Sequence, residues 1–212
     1  MTDTAGAATT ASRQQRLFRW LKAEALPLLL MVLLLSAARS SLANHYHVPS
    51  GSMEPTLQPG DRVFVDMTAY GLTLPFTGID LVDRGTPRRG DVVVFDSPVD
   101  GTRLIKRAVA VGGDRVDVVD GRLRIDGVPL RVDGSVAAER FGSVVARLDL
   151  ADGGGRDVHG LVVPDGQVLV MGDHRGSSFD GRYFGLVPES EFYGRAVAVY
   201  WRSDDGLGWR EL

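Results

Sequence analysis

The chain has 212 residues, 24 basic and 27 acidic, a formal net charge of −3, 44% hydrophobic residues and no cysteine. That composition excludes wholesale disorder, and the mild acidity excludes a nucleic-acid binder that relies on a basic footprint. Without cysteine there is no disulfide framework, no thiolate metal site and no cysteine nucleophile.

In chain order, the first feature is electrostatic. Arg13, Arg16, Arg19 and Lys22 face only Asp3 and Glu24, and then Ala25 to Ala38 runs for fourteen residues without a charge. A basic flank before an apolar run reads as a membrane segment with a cytoplasmic N-terminus. Fourteen residues rise only about 21 Å at ~1.5 Å each, short of the roughly 30 Å hydrocarbon core. Two readings accommodate this length. One is a cleaved secretory signal, with Ser41-Leu42-Ala43 as a small-x-small cut site. The other extends the helix to residues 20–43, with Lys22 and Arg39 reaching to the two interfaces. On the second reading, residues 1–19 are a basic cytoplasmic segment, 20–43 a transmembrane anchor and 44–212 an extracytoplasmic β-rich domain. From Asn44 onward 19 basic residues stand against 25 acidic ones, so the outer domain carries about −6.

Past the apolar run the pattern predicts strands. Val63 to Val65, Val92 to Phe95, Leu104 to Val111 and Arg195 to Trp201 are short runs rich in β-branched and aromatic residues. Asp120-Gly121 and Asp126-Gly127 predict tight hairpins in an antiparallel meander. Residues 131–160 carry the weakest pattern, with Gly153-Gly154-Gly155 as a loop. The expected fold is mainly β: an antiparallel, coiled or barrel-like domain preceded by one N-terminal transmembrane helix.

Three segments carry chemistry: Val48 to Asp61, which contains Ser50, Ser52 and Met53; the run around Lys106; and Gly172 to Gly185. Of the basic residues 22 are arginine, and Lys106 is the one lysine beyond the apolar run. Arginine keeps its proton in a protein, whereas a desolvated lysine can lose it and act as a base. Strand alternation places Leu104, Ala108 and Ala110 on the face of Lys106, a poorly solvating environment. Lowering its pKa from ~10.4 to about 8 would cost roughly 3 kcal/mol. Composition alone leaves a lone lysine open to chance, and a bare Ser-Gly-Ser is most often an ordinary turn.

Taken together, these segments resemble the signature boxes of bacterial type I signal peptidases, over residues 48–66, 90–115 and 171–188. The resemblance implies a membrane-bound serine endopeptidase of the bacterial inner membrane that removes signal peptides from exported preproteins, cutting after small-x-small motifs through an acyl-enzyme. It makes Ser52 the nucleophile and Lys106 the general base, with Ser50 and the Ser52 N–H as the oxyanion hole. Ser178 would orient the lysine amine, while Asp180 and Arg182 would brace the site. Met53 and Leu104 would line the pocket nearest the cut, with substrate added as a strand near Val48 to Ser50 and Arg103 to Ile105. It implies exported preproteins and membrane lipid as partners, with no nucleic acid, cofactor or metal. Because such substrates are tethered in the bilayer, a retained anchor is preferred over a cleaved signal, and Ser41-Leu42-Ala43 becomes a possible self-cleavage site. The chain departs from the family pattern at His174, where asparagine is usual, and at Gly181, where serine is frequent.

Rivals have weaker support in the residues. No Gly-x-Ser-x-Gly elbow accompanies the four histidines, and no serine stands three residues before Lys106. His45 and His47 lack a nearby third ligand in sequence, which favours a polar linker over a metal site. A specialised peptidase maturing a pilin or conjugation substrate remains an alternative within the resembled family. From a different class, a catalytically silent membrane-anchored binding module is the other.

Overall fold

The computed structural model describes residues 20–31, 43–70, 72–73, 80–82 and 85–212. The chain divides into two units, Met1–Ser41 and Leu42–Leu212. In the first unit, residues 20–31 are helical, with a π-helical stretch Leu21–Ala25, and Leu26, Leu28, Leu29, Leu30 and Met31 are all exposed. Among the described residues, no helix is long and apolar enough to cross a membrane. Residues 32–42 of the expected anchor lie outside the described residues.

The second unit is mainly β and antiparallel, as expected. Its main sheet has eight strands, in the path 43–47, 62–66, 192–202, 92–96, 103–111, 167–171 and 187–188, with 206–211 paired to 192–202. Among the described residues this path is open-ended rather than closed into a barrel. Register shifts interrupt several ladders, including the pairings of Phe192–Arg202 with three neighbours. Such bulges bend and twist a sheet locally.

The main sheet is covered on both faces, which explains why its strands read as continuous apolar runs. Val92 and Val94 join a cluster with Val48, Met53, Leu57, Val63 and Val65, while Val93 and Phe95 point into another with Ala108, Val168, Val170 and Phe192. Along Arg103–Val111 every residue from Lys106 to Ala110 is buried. Lys106 and Arg107 therefore enter the interior from opposite faces of one strand.

A smaller four-stranded sheet joins 158–162, 115–119, 122–125 and 128–129. The two expected hairpins form here. Asp120 and Asp126 adopt φ of 48° and 52°, with Gly121 and Gly127 also positive, which two-residue primed turns require. Val116, Val118, Leu123 and Ile125 face Leu169 and Met171 of the main sheet in a third apolar cluster. The weakly patterned stretch contains a further hairpin, Ala138–Phe141 with Val144–Arg147.

Candidate active site

Ser52 lies in a single 3₁₀ turn, Gly51–Met53, entered from extended Ser50. Two features hold this turn. Met53 is fully buried and anchors it in the core, and the His174 N–H donates to the Ser52 carbonyl at 3.2 Å. The third segment thus fixes the backbone of the first.

Lys106 meets this turn from the central Arg103–Val111 strand, and its Nζ donates to Ser52 Oγ at 2.5 Å. The Lys106 residue is 3% exposed. Burial pushes its pKa from 10.5 down to about 8, opposed by the negative charges of Asp180 and Asp173 and assisted by Arg182. The amine is thereby brought into a range where a useful fraction is neutral near physiological pH. The Ser50 hydroxyl also reaches the nucleophile, donating to Ser52 Oγ at 3.4 Å.

Asp180 and Arg182 form a buried bidentate pair. Arg182 Nε donates to Oδ1 and its Nη2 to Oδ2, both at 2.8 Å. Asp180 also caps the short helix Gly181–Phe184 through the Arg182 N–H and accepts the Gly172 N–H at 2.9 Å. The remaining Arg182 donors reach the carbonyls of Gly154 and Arg175. With Asp180 accepting four hydrogen bonds and four of the five Arg182 guanidinium N–H groups engaged, this ion pair escapes much of the desolvation penalty of burial.

Ser178 stands differently from the expectation. Its hydroxyl is buried without a hydrogen-bond partner among the described residues, so the expected bond to Lys106 is not made. It does belong to the site, because a Cβ at Gly172 would overlap both Ser178 Oγ and the Ser52 carbonyl. Only glycine at 172 lets these two groups approach so closely.

The two pocket residues separate. Leu104 lines a cleft of about 410 Å³ together with Tyr46, Val48, Pro49, Val63, Val94 and Ile105. Met53 lies in the core cluster instead and does not line that cleft. The cleft has a backbone edge available. Gln167–Met171 pairs with the Arg103–Val111 strand only from Arg107 onward, leaving Arg103 to Lys106 unpaired on that side among the described residues.

Sequence reasoning missed a second buried network. Asp173 accepts from Arg107 Nε at 2.9 Å, Arg107 Nη2 at 2.6 Å and Thr56 Oγ1 at 2.5 Å. This one carboxylate ties together all three signature segments. Arg175, fully buried, donates to both carboxylate oxygens of Glu139, at 3.1 and 2.6 Å. Glu139 in turn accepts the Leu123 N–H, which fastens the third segment to the smaller sheet. Asp173 and Arg175 stand among other charged and aromatic residues of this segment, and nothing local in the sequence marks them as buried.

A serine hydroxyl bonded to a desolvated lysine amine, beside an open strand edge and an apolar cleft, defines the class: a serine–lysine site suited to an extended peptide. Residues 17–201 match the family model described as signal peptidase, peptidase S26. A signal peptidase I of Pseudomonas fluorescens is 35% identical over 199 residues, covering 82% of this chain and 69% of its own. A probable signal peptidase I-2 of a Synechocystis species is 32% identical over 179 residues, covering 80% and 68%. A solved signal peptidase I from Enterococcus faecalis is 31% identical, covers 51% of this chain and 95% of its own, and aligns with a TM-score of 0.37. The chain belongs to the signal peptidase family, peptidase S26.

Proposed function

We propose that Ser52 and Lys106 are the catalytic pair with which this serine endopeptidase removes signal peptides from exported preproteins. The observation that carries the assignment is the 2.5 Å bond between Lys106 Nζ and Ser52 Oγ, made by an amine whose pKa burial has lowered.

Neutral Lys106 takes the Ser52 proton as Oγ bonds to the scissile carbonyl carbon. The carbonyl π electrons move to oxygen, and the oxyanion is held by the Ser52 N–H and the Ser50 hydroxyl, a contribution of about 3–4 kcal/mol per donor. Collapse breaks the C–N bond, and Lys106 returns the proton to the departing amine of the mature protein. Water, deprotonated by Lys106, then attacks the acyl carbon; the C–Oγ bond breaks, Lys106 returns the proton to Ser52 Oγ, and the signal peptide leaves with its new C-terminal carboxyl group. Asp180 and Arg182 are positioning residues: their closed pair fixes the Gly172 backbone, and the Asp180 charge sets a floor under the Lys106 pKa. Ser178 packs, with the Ser52 carbonyl, against Gly172.

Substrate adds as a strand along Arg103 to Ile105, its side chains entering the apolar cleft beside Leu104. The cleft's lining suits small and apolar side chains, consistent with small-x-small cut sites. The basic residues before Ala25 and the apolar run support a single membrane anchor over residues 20–43, with residues 1–19 cytoplasmic and 44–212 outside, at the bacterial inner membrane. Mass spectrometry of the membrane-purified protein tests the anchor, which a mature start at Asn44 would refute.

A mutant panel tests the pair. Detergent-solubilised protein is incubated with a preprotein, comparing Ser52→Ala, Lys106→Ala, Lys106→Arg and a histidine-free variant. The first three should be inactive and the last active. Turnover by Lys106→Arg would overturn the neutral-lysine mechanism, because arginine cannot serve as that base.

A further inference from the structure

Two exposed aromatic rings belong to the third signature segment and lie outside the apolar cleft. Phe179 is 58% exposed and Tyr183 42%. Their rings stack, with centroids 5.6 Å apart and planes inclined by 25°. Phe179 also meets Phe184 edge-on, at 5.7 Å between centroids. Phe184 packs on the apolar cluster that contains Ala108, so the exposed pair is footed on the core beneath the Lys106 strand.

The pair is held rigidly. Tyr183 belongs to the short helix Gly181–Phe184, whose Asp180 cap is locked by Arg182. The Tyr183 hydroxyl accepts the Arg156 N–H at 3.2 Å, and the Arg182 guanidinium carbon lies 5.7 Å from the centre of its ring. Rings fixed in this way have already lost their rotamer freedom. Covering them releases water from apolar surface with little further ordering cost.

Gly172 locates the pair relative to the reacting atoms. Ser178 Oγ and the Ser52 carbonyl oxygen each lie 2.3 Å from the point where a Cβ on Gly172 would stand. Phe179 follows Ser178 directly. A peptide with its scissile carbonyl over Ser52 Oγ extends in two directions. One arm enters the cleft, whose lining comes largely from residues that precede Ser52 and Lys106 in their own segments, Tyr46 to Pro49 and Arg103 to Ile105. Neither Phe179 nor Tyr183 lines that cleft.

We propose that the second arm, the start of the mature protein, passes over the Phe179–Tyr183 pair, and that Phe179 selects a large apolar side chain within the first three residues after the cut. Three extended residues span about 10 Å, enough to reach a ring one residue beyond Ser178. An apolar side chain laid on Phe179 covers surface that stays wet beneath a polar one, which gives a rate preference of about tenfold. Phe179 sets specificity and takes no part in proton transfer. The inference rests on the Ser52–Lys106 reading, which fixes where the cut lies.

Steady-state cleavage of two preproteins by the full detergent-solubilised chain tests it. The two share one signal sequence and carry either leucine or serine at the first three positions after the cut. The unaltered enzyme should give a kcat/KM about tenfold higher for the leucine form. Phe179→Ala should bring the two substrates level, and Phe179→Leu, which keeps a large apolar side chain, should hold most of the preference. A merely structural role would slow both substrates together and leave their ratio unmoved, and that outcome overturns the proposal. Equal rates in the unaltered enzyme overturn it too, and this measurement stands even should Phe179→Ala fail to fold. Ser52→Ala separates the two readings. It should cleave neither substrate; turnover there would overturn the catalytic pair, whereas a missing preference beside an inactive Ser52→Ala overturns only the role of Phe179.

Discussion

Replacing Lys106 by methionine keeps an unbranched side chain one heavy atom shorter and removes its charge, which isolates what the buried amine costs the fold. Burial lowers its pKa from 10.5 to about 8, despite the pull of Asp180 and Asp173. Above pH 10.5 the amine is neutral both folded and unfolded, and it costs nothing. As the pH falls, the unfolded chain binds a proton that the folded chain refuses until about 8. Stability declines across that window and stays reduced below it. The gap, at ~1.36 kcal/mol per pH unit, corresponds to roughly 3 kcal/mol. The variant also strips the Ser52 hydroxyl of its partner, offsetting about 1 kcal/mol. Lys106→Met should therefore be inactive yet more stable at pH 7 by about 2 kcal/mol, with the gain gone near pH 10.5. Urea unfolding of both proteins at the two pH values measures this. A variant no more stable at pH 7, or a gain undiminished in base, would refute the reasoning.

Asp180→Asn leaves Arg182 buried without its charge partner and should destabilise by about 3–5 kcal/mol in urea unfolding. It also removes the strongest support for protonated Lys106, so the rise of activity with pH should move to lower pH; an unmoved profile would sink that role. Gly172→Ala drives a methyl into Ser178 and the Ser52 carbonyl, and kcat should fall about 100-fold in a chain that still folds by circular dichroism. Ser50→Ala should lower kcat by about 10²–10³ with KM unchanged in steady-state kinetics, and a pure KM effect would remove it from the oxyanion hole.

The parts of this protein legible in its sequence are those fixed by local chemistry. The Asp-Gly pairs at 120 and 126 required positive φ and made their hairpins. Val92 to Phe95 and Leu104 to Val111 had enough β-branched residues to announce strands. Ser52 and Lys106 were singled out by residue type, and the fold brings them into contact across 54 positions of sequence. What could not be read depends on partners distant in the chain. Arg107, Asp173, Arg175 and Glu139 are charged residues of ordinary appearance, yet each is almost wholly buried. Only pairing across 66 and 36 positions makes that possible, and no local period records it. The hairpin Ala138–Phe141 with Val144–Arg147 escaped notice because its short strands alternate poorly. Met53 is a related case: its place beside the nucleophile suggests a pocket residue, and the 3₁₀ turn buries its side chain in a cluster with Val48, Val63 and Val94, which line the cleft beside Leu104.

The neutral amine of Lys106 as the base for Ser52 is tested most directly by the pH dependence of kcat/KM for preprotein cleavage by the unaltered enzyme. The amine is about one-tenth neutral at pH 7 and half neutral near its pKa of about 8, so kcat/KM should rise roughly tenfold from pH 7 to a plateau above pH 9. The inflection should fall near 8, and the histidine-free variant should keep the same curve. A flat profile, or an inflection that disappears with the histidines, would contradict the assignment of Lys106 as the base.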